Sequence, residues 1–257
     1  MKIVLLGSGN VATHLGHALK TAGHEILQVW SRSLSNAQKL AGSLSVAYTD
    51  EIGALDNTAD IYILSVKDDA IGEVASSFSF RDKLLVHTSG SASIDLLGES
   101  LMYKGVFYPL QTFSKQKEID FSSIPLLIEG STEEVTKQLN ELAGTISRVV
   151  QSASSVQRAA IHVAAVFACN FSNHLYAISK NLLAKEGLDF KLLLPLIAET
   201  AAKVQSLNPE DVQTGPATRK DQVSIEKHKK YLEMSPDLLQ LYTLMTDRII
   251  GSKNEQQ

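Results

Sequence analysis

Ile3-Val4-Leu5-Leu6-Gly7-Ser8-Gly9-Asn10-Val11-Ala12 decides the fold of this chain. The first four residues are an apolar run rich in β-branched side chains, which suits a strand buried on both faces. Val11, Leu15, Ala18 and Leu19 then fall on one face of a helix. Strand, glycine turn and helix in that order give a G-x-G-x-x-G/A pattern its meaning. Gly7 permits the tight turn, and Gly9 carries no side chain to hold a pyrophosphate off the backbone. Ala12 is small enough for the helix to sit close on the strand. The helix N-terminus, with Ser8, Asn10 and Val11 around it, offers N–H groups and partial positive charge to phosphates. The bland alternative is a glycine turn that binds nothing.

Outward from that stretch, the chain of 257 residues is long enough for one or two domains. Its hydrophobic content of 44% and charged content of 20% are those of a globular protein. A net charge of −4 gives no footprint for nucleic acid. No apolar run approaches the roughly 18 residues needed to cross a bilayer. The N-terminal apolar run leads into a glycine turn rather than a cleavage site, so no signal peptide is expected. Cys169 is the only cysteine, which excludes an intrachain disulfide and a cysteine zinc site, and no metal is expected. A cytoplasmic protein is the expectation.

Glu25 to Trp30 reads as the second strand, followed by Ser31-Arg32-Ser33 and a helix. A carboxylate at that strand end would select NAD, but none is present. Ser31, Arg32 and Ser33 suit a ribose 2′-phosphate, with Arg32 able to grip it bidentately, so NADP is the expected cofactor. Arg32 as a merely solvated charge is the alternative. Asp60 to Leu64 is a further strand, running into Ser65-Val66-Lys67 at the sheet edge where ligands bind. There Lys67 either reaches a ligand or faces water while Asp68 and Asp69 cap a helix. Leu84 to His87 leads into Thr88-Ser89-Gly90, small residues that can lie close under a nicotinamide. Val106 to Phe113 forms a sixth strand and turn, carrying Tyr108, Gln111 and Thr112. A strand–helix–strand unit over 125–150 follows.

Near Ser152 the texture becomes entirely helical. A long helix is expected from about Ala153 to Glu186, stopped by Gly187. Its stretch Val163 to Cys169 is apolar all round, which predicts burial on every side, partly by a second subunit. A second helix from Asp189 should be kinked by Pro195, and the last should end before Gly251. The expected architecture is a Rossmann-like, doubly wound, mostly parallel α/β sheet over 1–150, then an all-α domain over 151–257 for substrate and dimerisation.

The N-terminal half resembles pyrroline-5-carboxylate reductases and deazaflavin-linked NADP reductases. The matching pieces are G-S-G-N-V-A, the S-R-S after the second strand, and D-I-Y-I-L-S-V-K-D-D-A-I. The whole chain is similar to oxidoreductases that join a Rossmann-like domain to a helical domain of unknown function, number 2520. That match rests on H-T-S-G-S at 87–91, Y-P-L-Q-T-F at 108–113 and Q-T-G-P-A-T-R-K-D at 213–221. The resemblance implies an NADP-linked reaction and a helical half of the 6-phosphogluconate dehydrogenase C-terminal type. Relatives usually carry histidine where this chain has Tyr108, and glycine where it has Lys220. Tyr108 still donates a hydrogen bond but cannot be an imidazolium.

Hydride transfer needs a proton donor or acceptor near the reacting carbon. Asn170 and His174, spaced i, i+4, are candidates on the long helix, where related dehydrogenases carry lysine and asparagine at that spacing. A buried structural histidine is the competing reading of His174. Thr214, Arg219 and Asp221 form a second group: Arg219 and free helix N–H groups would hold a carboxylate or phosphate. The alternative is an Arg219–Asp221 tether that fixes the turn. With Tyr108 and Arg219 as catalytic candidates and Gln111, Thr112, Thr214 and Asp221 as substrate contacts, the reading is an NADP-dependent oxidoreductase acting on a small polar substrate between the domains. A nucleotide-binding sensor without turnover is the second reading.

Overall fold

The computed structural model describes residues 1–114 and 119–254. Its sheet has eight strands: β1 (Lys2–Leu6), β2 (Glu25–Trp30), β3 (Ala47–Thr49), β4 (Ile61–Leu64), β5 (Leu84–His87), β6 (Tyr103–Pro109), β7 (Leu126–Gly130) and β8 (Val150–Ser152). Their order is β3-β2-β1-β4-β5-β6-β7-β8. Only the β6–β7 pair is antiparallel. The first six strands therefore have the 3-2-1-4-5-6 order of the dinucleotide-binding fold, with the switch in direction beside β1.

Alternation along each strand builds two cores. Ile3 and Leu5 point to the layer containing α1 (Asn10–Thr21), α2 (Leu34–Leu44) and α4 (Glu133–Gly144). Val4 and Leu6 point the other way, toward α3 (Ile71–Ser77) and the ring cluster of Tyr62, Phe78 and Phe80. The close approach of α1 to the sheet rests on Ala12, fully buried, and on Gly16. A Cβ on Gly16 would lie 2.8 Å from Leu5 Cδ1.

The chain divides into two compact units, Met1–Leu175 and Tyr176–Gln257. Strand structure ends at Ser152, where the sequence changes texture. The first unit nevertheless continues into α5 (Ser155–Ala165), because α5 is fastened to the sheet edge. Ser154 and Gln157 close a capping box at its start. A π-helical segment, Val166–Phe171, joins α5 to α6 (Ser172–Lys185). The long helix is thus continuous to within one residue of its expected end, and Gly187 terminates it with φ +70°.

The second unit holds the rest of α6, α7 (Leu194–Lys203), α8 (Gln222–Leu232) and α9 (Pro236–Asn254). Two expectations change here. Pro195 produces no kink: it stands in the first turn of α7, where its missing N–H costs nothing. Helix α9 runs through Gly251 to Asn254, since a single glycine only weakens a helix. The basic cluster Lys227 to Lys230 sits on α8, mostly exposed, as a solvated face would.

The apolar stretch Val163 to Cys169, expected to be covered partly by a second subunit, lies open in the single chain. Phe167 is 65% exposed, and Val163 and Cys169 are exposed as well. In the second unit Leu192, Leu196 and Leu244 are similarly open.

Candidate functional site: a cleft along the carboxyl edge of the sheet

The site begins at the turn after β1. Gly7 has φ +127°, and a Cβ there would collide with the Ser65 carbonyl oxygen at 2.1 Å. Its N–H donates to Trp30 O at 2.7 Å, which closes the turn onto β2. Gly9 occupies the N-cap position of α1 and supplies no side-chain cap. The first N–H groups of a twelve-residue helix therefore stay available, and space beside Gly9 is open. That is an anion cradle of the kind a pyrophosphate fills.

The other strand ends complete a cleft of about 760 Å³, within the size range of cofactor sites. Gly7 to Val11 line it from β1 and α1, with Trp30, Ser31 and Arg32 from β2. Ser65, Val66, Lys67 and Asp68 follow β4, and Thr88, Ser89 and Gly90 follow β5. Tyr108, Pro109, Gln111 and Phe113 come from β6 and its turn. The hydroxyls bridge neighbouring strands: Ser8 Oγ donates to Ser31 Oγ at 2.9 Å, and Thr88 Oγ1 to Ser65 Oγ at 3.2 Å. Asn10 ties the helix start to β6 by donating to Phe113 O at 2.8 Å. Arg32 is 60% exposed and meets Glu73 only at 3.9 Å, a surface pair too weak to hold it away from a phosphate.

Beneath the Thr88–Gly90 loop lies Arg158, fully buried on α5. It donates to Ser89 O at 3.2 Å, to Ala92 O at 2.5 Å and to Glu129 Oε2 at 2.5 Å. Glu129 also accepts from the Ser155 N–H and hydroxyl. One guanidinium thus fastens α5, β7 and the loop after β5. One turn later on the same face, His162 Nδ1 lies 3.2 Å from Tyr108 Oη, and His162 lines the cleft. Burial pushes the Tyr108 phenol up from its ordinary value, with Arg158 opposing and Asp68 reinforcing. His87, wholly buried at the end of β5, is held down to about 4 by burial and then by Arg158.

The structure gathers most of the expected cofactor residues into this one cleft. Ser33 stands outside it, at the start of α2, and Thr112 also lies outside the lining, its N–H and hydroxyl donating to Gln111 Oε1. Asn170 and His174 are exposed, so the buried structural reading of His174 is corrected. Asn170 belongs to the π-helical segment, whose wider turn breaks the regular i, i+4 register with His174. Thr214, Arg219 and Asp221 belong to the second unit. Residues 216–220 form a turn rather than helix, and α8 begins only at Gln222. Asp221 caps it, accepting from Ser224 N at 3.1 Å and Ser224 Oγ at 2.7 Å, with its carboxyl held low by those bonds. Lys220 has φ +53°, a left-handed conformation that glycine would adopt without strain.

His162 and Arg158 were not singled out from sequence. Their signal was an i, i+4 polar pair at the start of an otherwise apolar helix, just after the Ser154–Gln157 cap.

A glycine turn at an uncapped helix start, on a 3-2-1-4-5-6 sheet with polar strand ends, defines a dinucleotide-binding Rossmann domain. Residues 2–90 match the family described as NADP oxidoreductase, coenzyme F420-dependent, and residues 124–249 match the domain of unknown function DUF2520. A crystal structure described as putative NADP oxidoreductase BF3122 from Bacteroides fragilis is 42% identical to this chain. It superposes with a TM-score of 0.90 over 97% of this chain and 98% of that one. The chain belongs to this NADP oxidoreductase family, and its cofactor is NADP.

Two more distant structures share the fold. Pyrroline-5-carboxylate reductase from Streptococcus pyogenes is 16% identical, with a TM-score of 0.64 over 98% of each chain. Reductive aminase from Aspergillus terreus, in complex with NADPH and ethyl-5-oxohexanoate, is 14% identical. Its TM-score is 0.73, covering 98% of this chain and 94% of that one. No curated protein matches the chain. No helix among the described residues is long and apolar enough to cross a membrane.

Proposed function

We propose that this oxidoreductase transfers hydride between NADP(H) and the C=O or C=N carbon of a small polar molecule. The observation that carries the reading is the convergence of the glycine turn and the polar ends of β4, β5 and β6 on one cleft. NADPH, when bound, supplies the hydride. The uncapped start of α1 holds its pyrophosphate, Ser31 and Arg32 its 2′-phosphate, and Ser65 to Lys67 with Thr88 to Gly90 the nicotinamide end. Loss of NADPH absorbance with a keto ester (ethyl-5-oxohexanoate) or a cyclic imine (1-pyrroline-5-carboxylate) tests it. Turnover of either supports the reading; tight NADPH binding without turnover of any carbonyl or imine in a wider panel sinks it.

Cofactor choice gives a sharper measurement. NADPH should bind more tightly than NADH, and Arg32→Ala should remove most of the difference. A charge-assisted hydrogen-bond pair is worth roughly 1.5–3 kcal/mol, about ten- to a hundredfold in affinity. Equal affinities for the two nucleotides in wild-type calorimetry would reject this role for Arg32.

We also propose a homodimer built on the helical region. Val163, Phe167 and Phe171 present an apolar surface that a single chain leaves to solvent. Light scattering at micromolar concentration should report about twice the 27.9 kDa chain mass. A monomer at all concentrations would dismiss the dimer. An exposed, unpaired Cys169 suits the reducing cytoplasm. Asn170, His174 and Arg219 remain proposed catalytic residues, and Thr214 a proposed substrate contact. Alanine at His174 or Arg219 should weaken substrate binding and leave NADPH affinity unchanged.

A further inference from the structure

We propose that Tyr108 is the proton donor of the reaction and that His162 positions its hydroxyl and restores its proton. The assignment rests on the oxidoreductase reading above. Reduction of a C=O or C=N carbon by hydride leaves an electron pair on the heteroatom, and that pair must take a proton. Among the residues lining the cleft, few can give one. The Asp68 carboxylate accepts a short hydrogen bond from Ser91. The serine and threonine hydroxyls bond to one another across the strand ends. Lys67 lines the cleft as an exposed ammonium on a flexible stem, and Arg158, which lies beneath the cleft, is committed to Glu129 and two backbone carbonyls. Tyr108 and His162 stand apart from these: a phenol and an imidazole 3.2 Å apart, both on the cleft wall.

Their place is built by Gly90. A Cβ there would lie 2.6 Å from Tyr108 Cζ, 2.8 Å from Tyr108 Oη and 2.7 Å from His162 Nδ1. The pair therefore rests directly against the loop after β5, the part of the sheet edge assigned to the nicotinamide end. Burial raises the phenol's proton affinity, so it keeps its proton until a stronger base forms beside it.

The step balances. The substrate carbon gains hydride with its two electrons, the heteroatom forms a bond to the proton of Tyr108, and the phenolic O–H bond breaks. His162 Nδ1–H returns a proton to the phenolate, and the ring recovers its own from solvent. One hydride and one proton are consumed for each double bond reduced.

Three variants and two readouts test this. The first readout needs neither substrate nor cofactor: the ring-nitrogen resonances of His162 are compared by NMR in wild type and in Tyr108→Phe at one pH. Loss of the 3.2 Å contact with the Tyr108 hydroxyl should shift the Nδ1 resonance. The second is NADPH-dependent turnover of the two probes above. Tyr108→Phe should lower kcat about a hundredfold or more, with NADPH affinity and KM little changed. His162→Gly should lose at least tenfold, and added imidazole should restore part of it, which a merely structural histidine would not show. Tyr108→His, which keeps a proton donor, should retain more turnover than Tyr108→Phe. An unmoved Nδ1 resonance, or wild-type turnover in Tyr108→Phe, overturns the proposal. A wild type that binds NADPH but reduces nothing overturns the oxidoreductase reading instead, and the ring resonance still judges the pair.

Discussion

Arg158→Met is expected to lower the free energy of unfolding by about 3–5 kcal/mol, a large part of the total for a domain. The side chain is fully buried, and methionine fills similar volume without a charge. What remains behind is the cost. Glu129, whose side chain is 19% exposed, would lose the only cation that faces it within ion-pair distance among the described residues. The carbonyls of Ser89 and Ala92 would lose their guanidinium donors. A lysine cannot reach three acceptors from one planar fork, so Arg158→Lys should recover only part of the loss. Arg158→Met with Glu129→Leu should be more stable than Arg158→Met alone, because it removes the uncompensated carboxylate. Denaturant midpoints check all three. A loss below 1 kcal/mol in Arg158→Met would mean the network does not hold the edge together. The same variant should weaken NADPH binding, since the loop bearing Ser89 and Gly90 would lose its anchor.

Acid should destabilise the protein through His87 before its carboxylates are protonated. The ring is buried in the folded chain with a pKa lowered to about 4, against about 6.5 when unfolded. Burial is the main cause and the Arg158 charge the second; the carboxylates of Asp68 and Glu129 oppose both and lose. Its Nδ1 accepts from the Ser89 N–H at 3.2 Å, a bond that requires the unprotonated nitrogen. Above pH 6.5 neither state binds the proton, and the contribution is flat. Between 6.5 and 4 the unfolded chain binds it and the folded chain does not. Stability then falls with falling pH by about 1.4 kcal/mol per unit, roughly 3 kcal/mol in all. Below about 4 both states are protonated and this slope ends. Asp56, Asp120 and Asp221, each held low mainly by hydrogen bonds from nearby hydroxyls, act only below the ordinary carboxylate range. His87→Asn keeps an acceptor for Ser89 but does not titrate. Unfolding free energies at pH 7.5, 5 and 4 should therefore diverge between wild type and variant, and parallel curves would refute the assignment.

Most of the residues that line the cleft were legible because each group of them is local. Ile3 to Ala12 declare strand, turn and helix within ten residues, and Ser31-Arg32 follows its strand directly. Thr88 to Gly90 and Tyr108 likewise come at strand ends, where open α/β sheets bind ligands. The helical half was less legible for a physical reason. Its apolar positions run round the helix, so periodicity says that they must be covered without saying by what. The Thr214 to Asp221 stretch shows a related limit: Asp221 reads as a ligand contact or as a tether to Arg219, and the observed bonds make it instead the cap of α8.

By itself, then, the sequence determined the mostly parallel sheet, the glycine turn between β1 and α1 and the continuous long helix. Those follow from short-range sterics and from strand and helix periodicity. Only the tertiary structure decided which imidazole lines the cleft beside Tyr108 and what braces the loop after β5. Tyr108 and His162 are 54 residues apart, and Arg158 and Glu129 are 29 apart. Their meeting depends on how β6, β7 and α5 pack at the sheet edge. No local pattern encodes that contact, because it is made by the folded surfaces and not by neighbours along the chain.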